Sequence, residues 1–430
     1  MPQPPPSLPA QPVASLPSRA DVLVVGAGAA GLFAAAWAGR TAAAGGRPPS
    51  LVAVDGARKL GAKILVAGGG RCNVTHVRVD ERDYAGGTPP AIRKVLRRFG
   101  VAETVRFFEE AGVLLKQEDT GKLFPVTDSA RTVLEALLRE ARRAGAEIVH
   151  PARVTALEKT ADGFAAATDA GTIRVAKVVL CTGGKSLPKS GSDGGGFALA
   201  TGLGHSLTSP IVPALVPLVL PTGHWITGLS GLTLPAEVVL HSPTGKRLFA
   251  TTGSTLCTHV GLSGPAILDA SRHWLVARDR EPAVSLALNW IPGTTADEAD
   301  RSLVEGQRRG ALAVLRDRLP DRLARTLCDL AAVPATGDVG RESRRKLAAL
   351  ATATPLPVTG DRGFAVAEAT AGGVPLSEVR LETMESRICP GLYFAGEVLD
   401  VDGRIGGFNF QWAWASGFVA GTSVSRETTA

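Results

Sequence analysis

Three glycine-dense stretches hold the residues that could do chemistry: GAGAAG at 26–31, AGGGRCNVTH at 67–76, and TGGKSLPKSGSDGGG from Thr182 to Gly196. Gly26, Gly28 and Gly31 keep the G-x-G-x-x-G spacing. In that spacing the first glycine permits a tight turn and the second lets backbone close on a pyrophosphate. The third lets helix and strand pack closely. A helix starting there offers unpaired N–H groups to phosphate oxygens. Asp55, about 24 residues beyond Gly31, is the acid such a unit sets against ribose hydroxyls. The pattern points to a bound dinucleotide, and a merely glycine-rich βα turn is the alternative.

The elements around these residues fit that reading. DVLVV at 21–25 has the continuous apolar run of a buried parallel strand, LFAAAWAGRTAA the composition of a helix, and LVAVD at 51–55 a second buried strand. Residues 91–145 read as mainly helical, with EALLREARRAG ending at a glycine. Asp162-Gly163 and Ala170-Gly171 mark turns between alternating runs that lead into VVLCTGG at 178–184. Residues 210–293 change to strand-length runs between Pro and Gly turns. Residues 294–354 are charged and helical, with Leu312, Leu315, Leu319 and Leu323 on one face and Pro320 separating two helices or starting the second. From 355 the chain returns to buried strands and glycine loops. The expected organisation is a Pro-rich disordered tail over 1–19 and a discontinuous dinucleotide-binding domain over 20–209 and 355–423. An inserted β-rich domain lies over 210–293, a helical subdomain over 294–354, and a tail over 424–430.

Composition narrows the class. A chain of 430 residues with 45% hydrophobic and 5% aromatic content suits a multi-domain soluble α/β protein. Net charge is +7 and the pI near 9.4, yet the longest basic cluster, RESRRK from Arg341, is interrupted by Glu342. A nucleic-acid footprint would be denser, so no nucleic-acid partner is expected. The five cysteines make no C-x-x-C pair, which argues against a disulfide framework, a zinc site and a thioredoxin-like centre, and favours a reducing cytoplasm. No metal site is expected. No apolar run reaches membrane-spanning length without Gly, Pro or charge, so no membrane partner is expected either.

Five motifs in one order carry a specific resemblance: GAGAAG, GGGRCNVT, TGGKSLPKSGSDGGG, THVGLSGPAIL and TMESRICPGLYFAGEVLDVDGRIGGFNFQWAWASG. Together, from about residue 21 to 422, they resemble the BaiN/RdsA-like NAD(P)/FAD-dependent oxidoreductases, also called aminoacetone-oxidase-like flavoproteins. SGSDGGGFALA at 190–200 is also similar to the glycine loop of fumarate-reductase-type flavoproteins. The resemblance implies non-covalent FAD in an α/β, two-dinucleotide-binding-type (Rossmann-like) domain, with a β-barrel-like insertion and a small helical part.

The same resemblance places the ADP half at Gly26, Ala27, Gly28, Ala30 and Gly31, with Asp55 on the ribose and Lys59 near ribose or phosphate. Val154 would meet adenine through its backbone, and Thr182 and Gly183 would pass the ADP moiety. Gly396, Glu397 and Asp400 would sit near the ribityl chain and pyrophosphate, with either carboxylate taking the ribityl hydroxyl. The turn at Gly407 would aim the N–H groups of Asn409 and Phe410 at the flavin N1/O2 edge, where reduced flavin gathers negative charge. Gly68, Gly69 and Gly70 would let backbone pass the cofactor. Arg71 would meet phosphate or flavin oxygens, and Asn73 and Thr75 would bond the cofactor or brace the loop. Cys72 reads as a buried small residue, with a redox role as the alternative.

Only one dinucleotide fingerprint is present, so NADH or NADPH docks transiently over the flavin or another donor reduces it. The expected reaction is hydride transfer through flavin N5 to an electron-poor C=C bond of a small molecule. The alternatives are an amine oxidase using oxygen, an FAD-dependent tRNA-modifying protein, and a flavin-bound sensor. His259 is a proton relay or a structural histidine; Arg404 holds a substrate oxygen or is a surface arginine. Trp412 and Trp414 read as core, and no oligomeric state is assigned.

Overall fold

The computed structural model describes residues 15–46, 49–334 and 339–426. Most of the two expected tails, residues 1–14 and 427–430, lies outside the described residues. Arg19 already pairs with Arg174 in a strand, and Val424 still ends a helix. The chain forms two compact units, one from the described residues up to Ile211 and from Ala371 onward, the other Val212–Thr370.

Continuous apolar runs build the first unit's centre. Five parallel strands, β1 (Arg19–Val25), β2 (Leu51–Val54), β3 (Ala146–Val149), β4 (Gly171–Leu180) and β5 (Leu392–Phe394), lie in the order β5-β4-β1-β2-β3. Val22–Val25, Leu51–Val54 and Val178–Leu180 are buried, as strands covered on both faces must be. The ladder continues past the strand ends: Gly26 N–H donates to Val54 O at 2.8 Å, Cys181 N–H to Val25 O at 2.8 Å and Ala395 N–H to Leu180 O at 3.1 Å. These bonds hold the chain turns after β1, β2, β4 and β5 level with one another.

Five helices of this unit matter for the site: α1 (Ala29–Ala44), α2 (Ala62–Gly70), α3 (Ala130–Arg143), α4 (Gly195–Gly202) and α5 (Phe408–Val424). Small residues let α1 and α5 cross closely, since a Cβ on Gly421 would stand 2.3 Å from Ala34 O and one on Gly417 2.9 Å from Ala30 O. Phe33, Trp414, Phe107 and Phe108 fill the space beside that crossing.

The expected helical run over 91–145 is interrupted. Between the helices Val101–Glu110 and α3, the segments Leu115–Gln117 and Lys122–Pro125 pair as a ribbon with Thr75–His76, turning at Gly121 with φ +80°. Strands this short carry too little alternation to show in the sequence.

In the second unit an antiparallel seven-stranded sheet runs from an edge at Thr354–Leu356 to an edge at Gly360–Asp361. These edges follow each other directly in the chain, so the sheet curls to bring them together. Leu286 and Leu288 of its strands, and Trp290 just beyond, share one core with Leu303, Leu315, Leu323, Leu327 and Leu347 of the helices. The helices expected as a separate subdomain therefore belong with the sheet. The return to the first unit falls at Ala371 instead of 355, because residues 354–361 pair within this sheet. Among the described residues no helix is long and apolar enough to cross a membrane.

Candidate functional site

The turns after β1, β2, β4 and β5 meet at the C-terminal edge of the parallel sheet, where open α/β sheets bind ligands. Gly26, at φ +99°, has no room for a side chain: a Cβ would lie 2.5 Å from Cys181 O. A Cβ on Gly31 would lie 1.8 Å from Gly26 O. Around a Cβ on Gly28 nothing lies within 4 Å, so this face of the turn is open. No side chain caps α1, and its first-turn N–H groups, including that of Ala30, lack intrahelical partners.

Asp55 is tied to this turn. Its carboxylate accepts Ala27 N–H and Ala57 N–H, each at 2.8 Å. The Ala27 N–H is therefore spent on Asp55. Each carboxylate oxygen keeps a second lone pair for a hydroxyl donor. Gly191 closes over the carboxylate, and Arg153 lies against Gly56 while pairing with Asp193 at 2.8 Å. Val154, next in sequence, opens the strand Val154–Thr160.

Lys59 does not join the cluster. It is exposed, because the left-handed Gly61 starts α2 only at Ala62. Lys63, one helical turn on, does join it. Its Nζ pairs with Glu397 Oε2 and donates to Ser186 Oγ at 2.5 Å, while Ser186 Oγ donates to Glu397 Oε1 at 2.9 Å. Gly396, at φ +77°, presses on Ala30 of α1 and donates its N–H to Ser416 Oγ. Asp400 is buried, and its backbone oxygen accepts Gly87 N–H at 2.8 Å.

In α2 the glycine run leaves helical geometry at Ala67 and passes through left-handed Gly68 and Gly69. Gly70 follows at φ +86°; backbone conformation alone imposes Gly69, around whose Cβ nothing lies within 4 Å, while a Cβ on Gly68 would also stand 3.0 Å from Phe124. Arg71, expected at phosphate or flavin oxygens, has acidic and aromatic partners within the protein. It pairs with Glu118 at 2.5 Å and lies 4.1 Å over the Phe124 ring, since acidic Glu118 and Asp128 flank it. Thr75 braces a helix: its Oγ1 donates to Gln411 Oε1 at 2.7 Å, which also takes Thr104 Oγ1. Cys72 is fully buried at φ +61°, and burial pushes its thiol pKa up.

Three buried polar atoms here have no protein partner: Asn73 Oδ1, Thr182 Oγ1 and Ser192 Oγ. Gly183, at φ +74°, passes so close that its Cβ would stand 2.8 Å from Ser192 Oγ. Buried polar groups are rarely left unsatisfied. Unpaired hydroxyls and an amide oxygen, beside uncapped helix N–H groups, fit a polar dinucleotide.

At the far end Gly407, at φ +94°, starts α5 without a side-chain cap. The Asn409 side chain bonds Gly403 N–H and O, both at 2.9 Å, leaving the first-turn N–H groups of Asn409 and Phe410 for a ligand. Phe410 stacks on Trp414. Both Trp412 and Trp414 are buried, donating to Gly396 O and Val74 O. Arg404 is exposed, 3.3 Å from Asp83 and over Phe408. His259 is exposed on the Thr258–Gly261 turn of the second unit. Sequence reasoning missed Lys63, Ser186, Ser192 and Arg153. The serines stood inside a quoted motif whose glycines drew the reading.

The HI0933-like protein Rossmann domain family matches residues 20–423. The chain belongs to this family. It is the BaiN/RdsA-like family of FAD-dependent oxidoreductases that the motif order resembles, so the protein is an enzyme of that class with a Rossmann-like FAD fold. It is 34% identical over 411 residues to the 3-dehydro-bile acid delta(4,6)-reductase of Clostridium scindens, covering 94% of this chain and 98% of that one. To the ribosomal RNA dihydrouridine synthase of Escherichia coli it is 33% identical over 406 residues, covering 93% and 96%. Its fold is similar to that of 3-ketosteroid delta1-dehydrogenase from Sterolibacterium denitrificans. There the TM-score is 0.50 at 12% identity, over 95% of this chain and 100% of that one.

Proposed function

We propose that this enzyme reduces a carbon–carbon double bond conjugated to a carbonyl, with FAD as the carrier and NADH or NADPH as the donor. When bound, FAD supplies a two-electron relay that takes hydride from a nicotinamide and delivers it at N5. The observation that carries the reading is the uncapped start of α5, where Asn409 and Phe410 present N–H groups held in place by the Asn409–Gly403 pair. Such donors stabilise negative charge at the flavin N1/O2 edge. Along the cofactor, α1 would hold the pyrophosphate, Asp55 the adenosine ribose, and Glu397 the ribityl chain. Thr182 and Ser192 would spend their unpaired hydroxyls on the ADP moiety.

The names of the two relatives support the reaction type. A delta(4,6)-reductase acting on a 3-dehydro bile acid saturates a bond conjugated to a ketone, and dihydrouridine is uridine with its ring double bond saturated. In an enone and in a uracil ring alike the carbon β to the carbonyl is electron-poor, so it is the position that would accept hydride while the α carbon takes a proton.

A second reading takes the double bond to be a uracil in RNA. The match to the dihydrouridine synthase over 93% of the chain favours it, and reopens the expectation of no nucleic-acid partner. One experiment serves both. Flavin in the anaerobic enzyme is bleached by NADH or NADPH, then reoxidised by a steroid dienone, a simple enone or unmodified ribosomal RNA. Bleaching followed by reoxidation with an enone supports the first reading, and reoxidation by RNA alone supports the second. Absence of bleaching with both donors, or reoxidation by oxygen only with peroxide release on adding amines, defeats both.

A further inference from the structure

Lys63 and Ser186 have no task in the reading above, yet they sit at its centre. Three separate turns bring the group together: the first turn of α2, the loop after β4 and the turn after β5. Ser186 is fully buried, and the side chains of Lys63 and Glu397 are 28% and 15% exposed. Lys63 donates to both partners and Ser186 donates to Glu397, so the three close a ring of hydrogen bonds. Taking an ammonium and a carboxylate this far from water is costly, and apolar residues of similar volume would often pack as well or better.

Position and charge suggest the purpose. Glu397 follows Gly396, which presses on Ala30 in the first turn of α1 and bonds Ser416 of α5. The ring therefore adjoins a residue packed on the first turn of α1, whose N-terminus is assigned to the pyrophosphate, and on the third turn of α5. A pyrophosphate brings formal negative charge, whereas a helix N-terminus offers only about half a positive charge. Residues 29–44 carry no cation in the first turn. Arg71 is committed to Glu118 and Phe124, and Lys59 is exposed. Lys63 is a cation in place.

We infer that Lys63 is a cofactor-positioning residue. Its ammonium, through Glu397 and Ser186, fixes the carboxylate so that its remaining lone pairs face a ribityl hydroxyl, and it supplies positive charge for the pyrophosphate. The inference rests on FAD being the bound dinucleotide, as proposed above.

The test is FAD titration of the flavin-stripped full-length chain by fluorescence, at several salt concentrations, with thermal unfolding measured in parallel. Lys63→Met is expected to raise the Kd for FAD by about tenfold or more and to flatten its salt dependence, because a charge–charge attraction is screened by salt. Lys63→Arg keeps the slope and stays within about threefold, the charge being retained. The double variant Lys63→Met/Glu397→Gln leaves no buried unpaired charge, so its unfolding temperature recovers while its FAD affinity does not. A Lys63→Met chain with wild-type affinity and slope overturns the inference, as does a double variant that recovers affinity together with stability. Wild-type chain that takes up no FAD removes the proposed function and this inference with it.

Discussion

Both oxygens of the Asp55 carboxylate are engaged by backbone, from Ala27 in the glycine turn and from Ala57 in its own loop. An Asp55→Asn variant keeps one acceptor and turns an NH₂ group against a backbone N–H. It is expected to lose about 1–3 kcal/mol of stability and to bind FAD about tenfold more weakly. Urea unfolding and FAD titration check the two effects, and loss of FAD affinity with full stability would show that the brace contributes nothing. Cys72 and Cys181 give a prediction in pH. Burial raises both thiols above their ordinary value of 9.0, so above that pH the folded chain holds protons that the unfolded chain releases. Stability is full below about pH 9 and falls as pH rises beyond it. Cys72→Ala should soften that alkaline fall in unfolding temperature and leave flavin bleaching intact; abolished bleaching with FAD still bound would restore a redox role. The glycine turn and the acid after β2 were legible as geometry because the spacing of one βαβ unit sets both. Lys63 was not, since its partner Glu397 stands 334 positions away.

The α1–α5 crossing depends on the absence of side chains, and α1 is buried on nearly every side because a helix and a sheet both cover it. Gly28→Ala and Gly421→Ala separate the two uses of glycine. A Cβ on Gly421 would meet Ala34 O at 2.3 Å, so the helices must part; the variant should lose several kcal/mol, as overpacked cores do, and lose FAD as a consequence. Gly28 has φ −85° and open space around its Cβ. That variant should unfold within a degree or two of wild type (about 0.5 kcal/mol or less) and yet bind FAD poorly, since the methyl group would stand at the proposed pyrophosphate site. Unchanged FAD affinity in folded Gly28→Ala would move the phosphate site elsewhere. At this scale DVLVV, LVAVD and VVLCTGG were readable because buried parallel strands are continuous apolar runs. The ribbon at 115–125 and the strands at 354–361 were not. They are two to four residues long, and their identity comes from partners distant in sequence.

The first unit is completed by β5, Glu397 and α5, all supplied after residue 371, so the cofactor edge exists only once the chain has passed through the second unit and returned. Composition marked that passage but misplaced its end, because strands 354–356 and 360–361 are too short to show in the sequence that they pair in the second unit. The outgoing and returning segments run side by side. Thr208 N–H donates to Gly373 O at 2.8 Å, and Val212–Ala214 pairs with Ala369–Ala371. Paired strands lie about 5 Å apart, a gap that a few residues span. Replacing residues 212–370 with a short Gly–Ser linker should therefore leave a chain that folds and takes up FAD, because its core and every cofactor-side residue named above except His259 lie outside the deletion. The fragment 212–370 should unfold cooperatively by itself, having a separate core of its own. Circular dichroism on both products and FAD fluorescence on the first measure this. A linked chain that folds without FAD would mean the second unit contributes to cofactor binding; one that fails to fold, beside a cooperative fragment, would mean that the returning segment cannot dock without the second unit to lead it there.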